Sequence, residues 1–268
     1  MELNQYIDHT LLRQGATTSE VEQLCSEAKE HKFAAVCVSP NYVYDAKNYL
    51  IGSDVKVCTV IGFPFGYSTL MSKQMEIEEA ISDDADELDI VQNVSYVKNG
   101  QWEELRDEME SCLQEISFEV LKKIEIHGAD SNFSVKVKVI LETGILTDTE
   151  IVECCKIYSE FGDKIDFMKT STGFAKEQYE GEKFNEEKIK TIKIIRQYIP
   201  TNMQIKASGG IRDLKFAQQL IDAGATRLGC SAGVKLMEQE RNQGRVHVIN
   251  DGVFKGDKPD KLFSTSEY

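Results

Sequence analysis

Three lysines stand where lysine has no packing reason to be. In IDFMKTSTGF, residues 165–174, a short apolar run carries Lys169 to its end and then opens into Thr, Ser, Thr and Gly. The runs 137–141 (VKVIL) and 204–208 (QIKAS) carry Lys138 and Lys206 among apolar and small residues. Burying an ammonium group is costly unless it is paired or has shed its proton. Taken alone, each could be a strand-end lysine reaching to water, so the chemistry turns on whether they meet. A lysine neutral near pH 7 attacks carbonyl carbon, and an adjacent cation is one way to make it so. The resulting Schiff base withdraws electrons from neighbouring carbons and can drive C–C cleavage with no metal. Metal chemistry is not expected: His9, His31, His127 and His247 are scattered, without HxH or HExxH spacing.

The elements that would carry these lysines recur regularly. Apolar or β-branched runs lie at 6–12, 34–38, 55–63, 87–91, 135–141, 165–169, 203–208 and 226–230. Stretches of helical spacing fall between them, at 19–31, 70–83, 101–116, 147–161, 185–198 and 212–223. Thr17 and Thr18 precede Glu20 and Glu22, and Thr147 is followed by Glu150, both start signals for a helix. Eight strands alternating with helices predict a single-domain α/β chain, a (β/α)₈ TIM barrel over 1–250. Residues 251–268 are polar with Gly and Pro and are expected to form a tail. Residues 125–134 and the charged stretch 176–187 read as surface insertions.

Strand parity then decides which side chains meet, because successive residues face opposite sides of a barrel wall. Met203, Ile205 and Ala207 form the outward set of their run, which leaves Gln204, Lys206 and Ser208 inside. The same reasoning puts Glu87 and Asp89, Lys138, Asp8 and Thr10, and Cys37 inside, with Lys169 at the start of its loop. Bland readings exist for each: Asp8 as a loop brace, Asp89 and Lys138 as a buried ion pair, Cys37 as a small core residue. Three lysines in one interior, at most two of them with a carboxylate nearby, repel one another. At least one lysine pKa is therefore expected to fall. Small residues after the seventh and eighth strand runs, Ser208 to Ile211 and Gly229 to Gly233, offer backbone N–H groups to a phosphate at helix starts.

Composition excludes several classes. The formal net charge of −14 over 268 residues, with no basic patch, disfavours nucleic acid and anionic membrane as partners. No apolar run reaches transmembrane length and the start does not resemble a signal peptide. Seven cysteines at irregular spacing, with no CxxC pair, point to reduced thiols in the cytoplasm. The oligomeric state is not legible; a homodimer is among the assemblies allowed.

The segments IDHTLL, VCVSP, VIGFPFG, ELDIVQN, VKVILETG, FMKTSTGF, IKASGGIR and RLGCSAG follow one another in the order and spacing of the deoxyribose-phosphate aldolases, which the chain resembles from Tyr6 to about Met237. The resemblance implies a cofactor-free class I aldolase that reversibly cleaves 2-deoxy-D-ribose 5-phosphate to D-glyceraldehyde 3-phosphate and acetaldehyde. By that likeness Lys169 forms the Schiff base, Lys206 lowers its pKa and shares in proton transfer, and Asp89 donates or accepts protons. Asp8 and Lys138 match positions of relay and electrostatic support, and Thr170 is placed with them as substrate-binding or relay. Phosphate would lie against Gly173, Gly209, Gly210 and the loop of Ser231. Tyr268 matches members whose tail brings a phenol to the barrel mouth. Phe65 stands where many relatives have His, and Phe174 where some have Lys. A phosphosugar isomerase and a non-catalytic sugar-phosphate-binding barrel are the competing readings.

Overall fold

Strands Ile7–Leu11 (β1), Ala35–Val38 (β2), Lys56–Ile61 (β3), Glu87–Val91 (β4), Lys136–Ile140 (β5), Phe167–Lys169 (β6), Gln204–Ser208 (β7) and Arg227–Cys230 (β8) pair in parallel, each with the next, and β8 closes on β1. This is the expected (β/α)₈ barrel. A computed structural model describes residues 2–128, 133–176 and 178–250 of the chain. The tail from 251, with Tyr268, lies outside the described residues, as do 129–132 and 177.

The helices are Thr18–His31 (α1), Val43–Tyr49 (α2), Leu70–Ser82 (α3), Val94–Lys98 (α4), Trp102–His127 (α5), Asp148–Ser159 (α6), Gly181–Tyr198 (α7), Leu214–Asp222 (α8) and Gly233–Asn250 (α9). The start signals act as read: Thr17 with Glu20 and Thr147 with Glu150 form capping boxes on α1 and α6. Two short helices, α2 and α4, had no sequence signal. The helix expected to stop at Ile116 runs on to His127. Its last turns are tied down by Lys122 to Glu78 and by Lys123 to Asp84 and the Ser82 carbonyl. Residues 125–127 therefore end α5 instead of opening a loop, and the 176–187 stretch contains the start of α7.

The outward side chains of the strands, among them Val36, Val57, Leu88, Ile90, Val137, Val139, Met168, Ile205 and Leu228, form one continuous core with the helices. That layer carries most of the hydrophobic stabilisation and leaves the interior of the barrel free for polar groups. Inside, a small apolar group of Ala35, Cys37, Cys58 and Val60 fills the β2–β3 side. The opposite side holds charge. Among the described residues no helix is long and apolar enough to cross a membrane.

Candidate active site

Register brings the charged side chains together. Asp89 on β4 lies beside Lys138 on β5, and Lys169 on β6 lies beside Lys206 on β7, both pairs being direct register partners. Two lysines side by side would repel, and Asp89 resolves the conflict. Its Oδ2 accepts hydrogen bonds from Lys169 Nζ and Lys206 Nζ at 2.7 Å each. Its Oδ1 accepts from Lys138 Nζ at 2.8 Å and from Cys58 Sγ at 3.2 Å. Asp8 on β1 pairs with Lys206 at 2.5 Å and with Arg227 at 2.5 Å, and Glu87 pairs with Lys138 at 2.6 Å and with Arg227 at 3.2 Å. Phe167 also points inward, with Lys138 Nζ 5.9 Å from its ring centroid and the Arg227 guanidinium at 5.3 Å.

This network corrects one expectation. All three lysines, not two, have a carboxylate within reach, because one aspartate serves them all. Burial pushes the Lys138 ammonium down, but Asp89, the Cys58 sulfur, Glu87 and Asp8 outweigh it and carry it well above its usual range. Lys206 moves the same way, burial being overcome by Asp8 and Asp89. Conversely, burial raises the Asp89 carboxyl, yet Lys138, Lys169 and Lys206 together hold it well below the usual carboxylate range. Asp8 is likewise depressed, burial losing to Lys206 and Arg227. Counted together, four basic side chains (Lys138, Lys169, Lys206, Arg227) face three carboxylates (Asp8, Glu87, Asp89). Loss of one proton from one amine makes the enclosed set neutral.

Above this floor lies a cavity of about 310 Å³ lined by Lys169, Thr172, Gly173, Phe174, Ser208, Gly209, Gly210, Ile211, Ser231 and residues 10–13 of the β1 loop. Gly173, Gly209 and Gly210 have φ of +84°, +85° and +74°, left-handed conformations that glycine adopts without strain. At Gly210 a Cβ would also meet the Phe184 ring at 2.7 Å. Thr170 does not line this cavity. Its Oγ1 accepts from Ser208 N at 3.0 Å and donates to Ser208 O at 3.2 Å, tying the β6 loop to the β7 loop. Phe65 is exposed and stacks on Tyr67, and Phe174 meets Phe63 edge-on at the rim.

Several participants escaped the sequence reading. Arg227 was findable by the argument used for the lysines, since it too interrupts an apolar run, TRLGC. Cys58 needed the register, which sets it directly opposite Cys37. Burial and the Cys37 hydrogen bond hold the Cys58 thiol well above its usual range, whereas that same bond lowers Cys37. Glu142 left no sequence signal: buried just past β5 with φ +58°, it turns its carboxylate onto the β6 loop and accepts from Thr172 N at 3.2 Å and from Thr172 Oγ1. Lys188 on α7 is also buried and reaches Ser171 Oγ at 2.6 Å. Cys37, Cys58 and Asp89 lie close enough to share a cation. Lys138 and Lys206 occupy the same space, and their charges oppose one.

The barrel thus sets an enclosed lysine–carboxylate network beneath a cavity rimmed by glycine-rich loops, an arrangement suited to carbonyl chemistry. The chain belongs to the DeoC/LacD family of aldolases, whose model matches residues 3–239. More particularly, it is 43% identical over 239 residues to a deoxyribose-phosphate aldolase of Thermoanaerobacter sp. (strain X514), covering 89% of this chain and 97% of that protein. It is 41% identical over 244 residues to the deoxyribose-phosphate aldolase of Caldanaerobacter subterraneus subsp. tengcongensis, covering 91% of this chain and 96% of that one. Among solved structures, the deoxyribose phosphate aldolase of Aeropyrum pernix, described as tetrameric, superposes with a TM-score of 0.70 at 30% identity over 90% of this chain and 92% of that one. The isomerase and non-catalytic readings find no support among these relatives.

Proposed function

We propose that this protein reversibly cleaves 2-deoxy-D-ribose 5-phosphate to D-glyceraldehyde 3-phosphate and acetaldehyde through a Schiff base on Lys169. The observation that carries the reading is Lys169 Nζ on the cavity floor, 2.7 Å from an Asp89 oxygen that also holds Lys206. As a free amine, Lys169 adds to the C1 aldehyde carbon; the oxygen takes up protons and leaves as water, giving a protonated imine. The C3 hydroxyl then gives up its proton and becomes the aldehyde of glyceraldehyde 3-phosphate, while the C2–C3 electron pair moves toward the imine. The enamine left behind is protonated at C2 and hydrolysed to acetaldehyde, restoring the amine.

Lys206 and Asp89 share hydrogen bonds with the attacking amine and are the groups placed to pass protons to and from it. Asp89, held ionised by three lysines, serves as acceptor and electrostatic anchor more readily than as donor. Asp8 and Lys138 keep Lys206 and Asp89 in place, and Thr170 aligns the two loops above them. The phosphate end of the substrate rests against Gly173, Gly209, Gly210 and the Ser231 loop, where backbone N–H groups and the helix start favour an anion.

Reduction with borohydride in the presence of acetaldehyde, followed by peptide mapping, tests the mechanism. Modification at Lys169 is expected; an unmodified Lys169 alongside measurable turnover overturns it. Seven cysteines at irregular spacing, all of them buried and none in a CxxC pair, support a reducing cytoplasmic location. A homodimer is the assembly we favour, since Met71 and Met75 on α3 and Phe118 and Leu121 on α5 expose apolar surface on two helices that pack together. Sedimentation equilibrium showing a monomer or a tetramer would reject it.

A further inference from the structure

We propose that Lys188 is a positioning residue that sets this enzyme's preference for phosphorylated over unphosphorylated substrates, acting from behind the two loops that receive the phosphate. The inference rests on the placement of the phosphate end argued above. Lys188 lies on α7, 6% exposed, and its Nζ donates to Ser171 Oγ at 2.6 Å and to the Ser208 carbonyl at 3.3 Å. Those two contacts fall on the two loops just ahead of their cavity-lining glycines, Gly173 and Gly209. The loops are themselves in contact there, a Cβ at Gly209 being 3.8 Å from Gly173 Cα and 3.4 Å from Lys188 Nζ.

The geometry of one peptide unit carries the argument. In a trans peptide the C=O and the following N–H point in opposite directions. With the Ser208 carbonyl drawn back toward Lys188, the N–H of Gly209 faces away from it, on the cavity side. Together with the Thr170 hydroxyl, which donates to the same carbonyl at 3.2 Å, Lys188 thereby sets the direction of a donor that an anion would meet, and it brings a lysine's donors and charge behind that dipole. Phe184, one turn earlier on the same helix face, packs on Gly210 and lies 5.2 Å from Lys188 Nζ. Two side chains of α7 thus set the β7 loop from outside the barrel. Neither lines the cavity that holds Lys169, so the effect should be confined to the phosphate end.

Steady-state kinetics on 2-deoxyribose 5-phosphate and on unphosphorylated 2-deoxyribose, for wild type, Lys188→Met and Lys188→Arg, test this. We expect Lys188→Met to raise KM for the phosphorylated sugar by about tenfold or more, with kcat little changed. Its kcat/KM on 2-deoxyribose should stay within about twofold of wild type, and Lys188→Arg should recover part of the loss. Equal losses on both sugars, or no loss on either, overturn the proposal. Should Lys188→Met fail to fold, Ser171→Ala, which removes the hydroxyl that Lys188 holds, must shift the same ratio in the same direction, and an unchanged ratio overturns the proposal. A wild-type enzyme with no preference for the phosphorylated sugar would instead reject the phosphate end itself.

Discussion

Replacing Asp89 by asparagine removes the one negative group that three lysines share and leaves them facing each other in a buried interior. Breaking a buried ion pair from one side costs roughly 3–5 kcal/mol. Asp89→Asn is therefore expected to lose turnover and also to lower the urea midpoint substantially; wild-type stability in that variant would refute the shared-carboxylate account. The same network has a pH signature. Asp8 and Asp89 are held below their unfolded values, so their contribution is complete above about pH 5 and is lost as pH falls through and below the unfolded carboxylate range near ~3.9. Lys138 and Lys206 are raised, so their contribution is complete below the unfolded lysine value near ~10.4 and fails only at more alkaline pH. Urea midpoints measured across pH should show the acid limb flattened in Asp8→Asn relative to wild type. Parallel limbs in the two proteins would argue against it.

The elements divide into those that carry the barrel and those that shape its mouth. Thr147 caps α6 far from the chemistry, accepting from Glu150 N while Glu150 caps Thr147 N in return. Thr147→Ala should cost about 1 kcal/mol of stability and leave kcat unchanged. Glu142 is different in kind. It holds a left-handed backbone without being glycine, and its carboxylate grips Thr172, whose hydroxyl in turn accepts from Phe174 N. Such strain persists where surrounding contacts impose it and is common at functional sites. Glu142→Ala releases the 170–174 turn, and we expect kcat/KM to fall at least about tenfold, far more than in Thr147→Ala. Kinetics and urea melts on the two variants separate the roles; matching activity in both would show that the turn needs no such anchor.

For the whole molecule, the −14 charge and the cationic floor are complementary facts: the field repels anions in general, and the site admits one through local donors. Dialysis against EDTA should leave the activity intact, because the Cys58 thiol and the carboxylates that could hold a cation are already engaged by lysines. A loss restored by zinc would overturn the Schiff-base reading. Much of this was legible in the sequence. Alternation of strand and helix signals determined the barrel, and the period of two along each strand determined that Asp8, Asp89, Lys138 and Lys206 face one interior, since side-chain direction in a strand is a local property. The sequence by itself also marked Lys169, because an apolar run has no use for a charge. It could not say how the charges pair: that depends on register between strands up to 219 residues apart, as for Asp8 and Arg227, and that pairing carries Lys138 and Lys206 upward. Glu142 and Lys188 were invisible for the same reason, their work being done on loops distant in the chain. Tertiary structure alone decided that one aspartate would hold three lysines, because only closure of the barrel brings β4, β5, β6 and β7 around a single carboxylate.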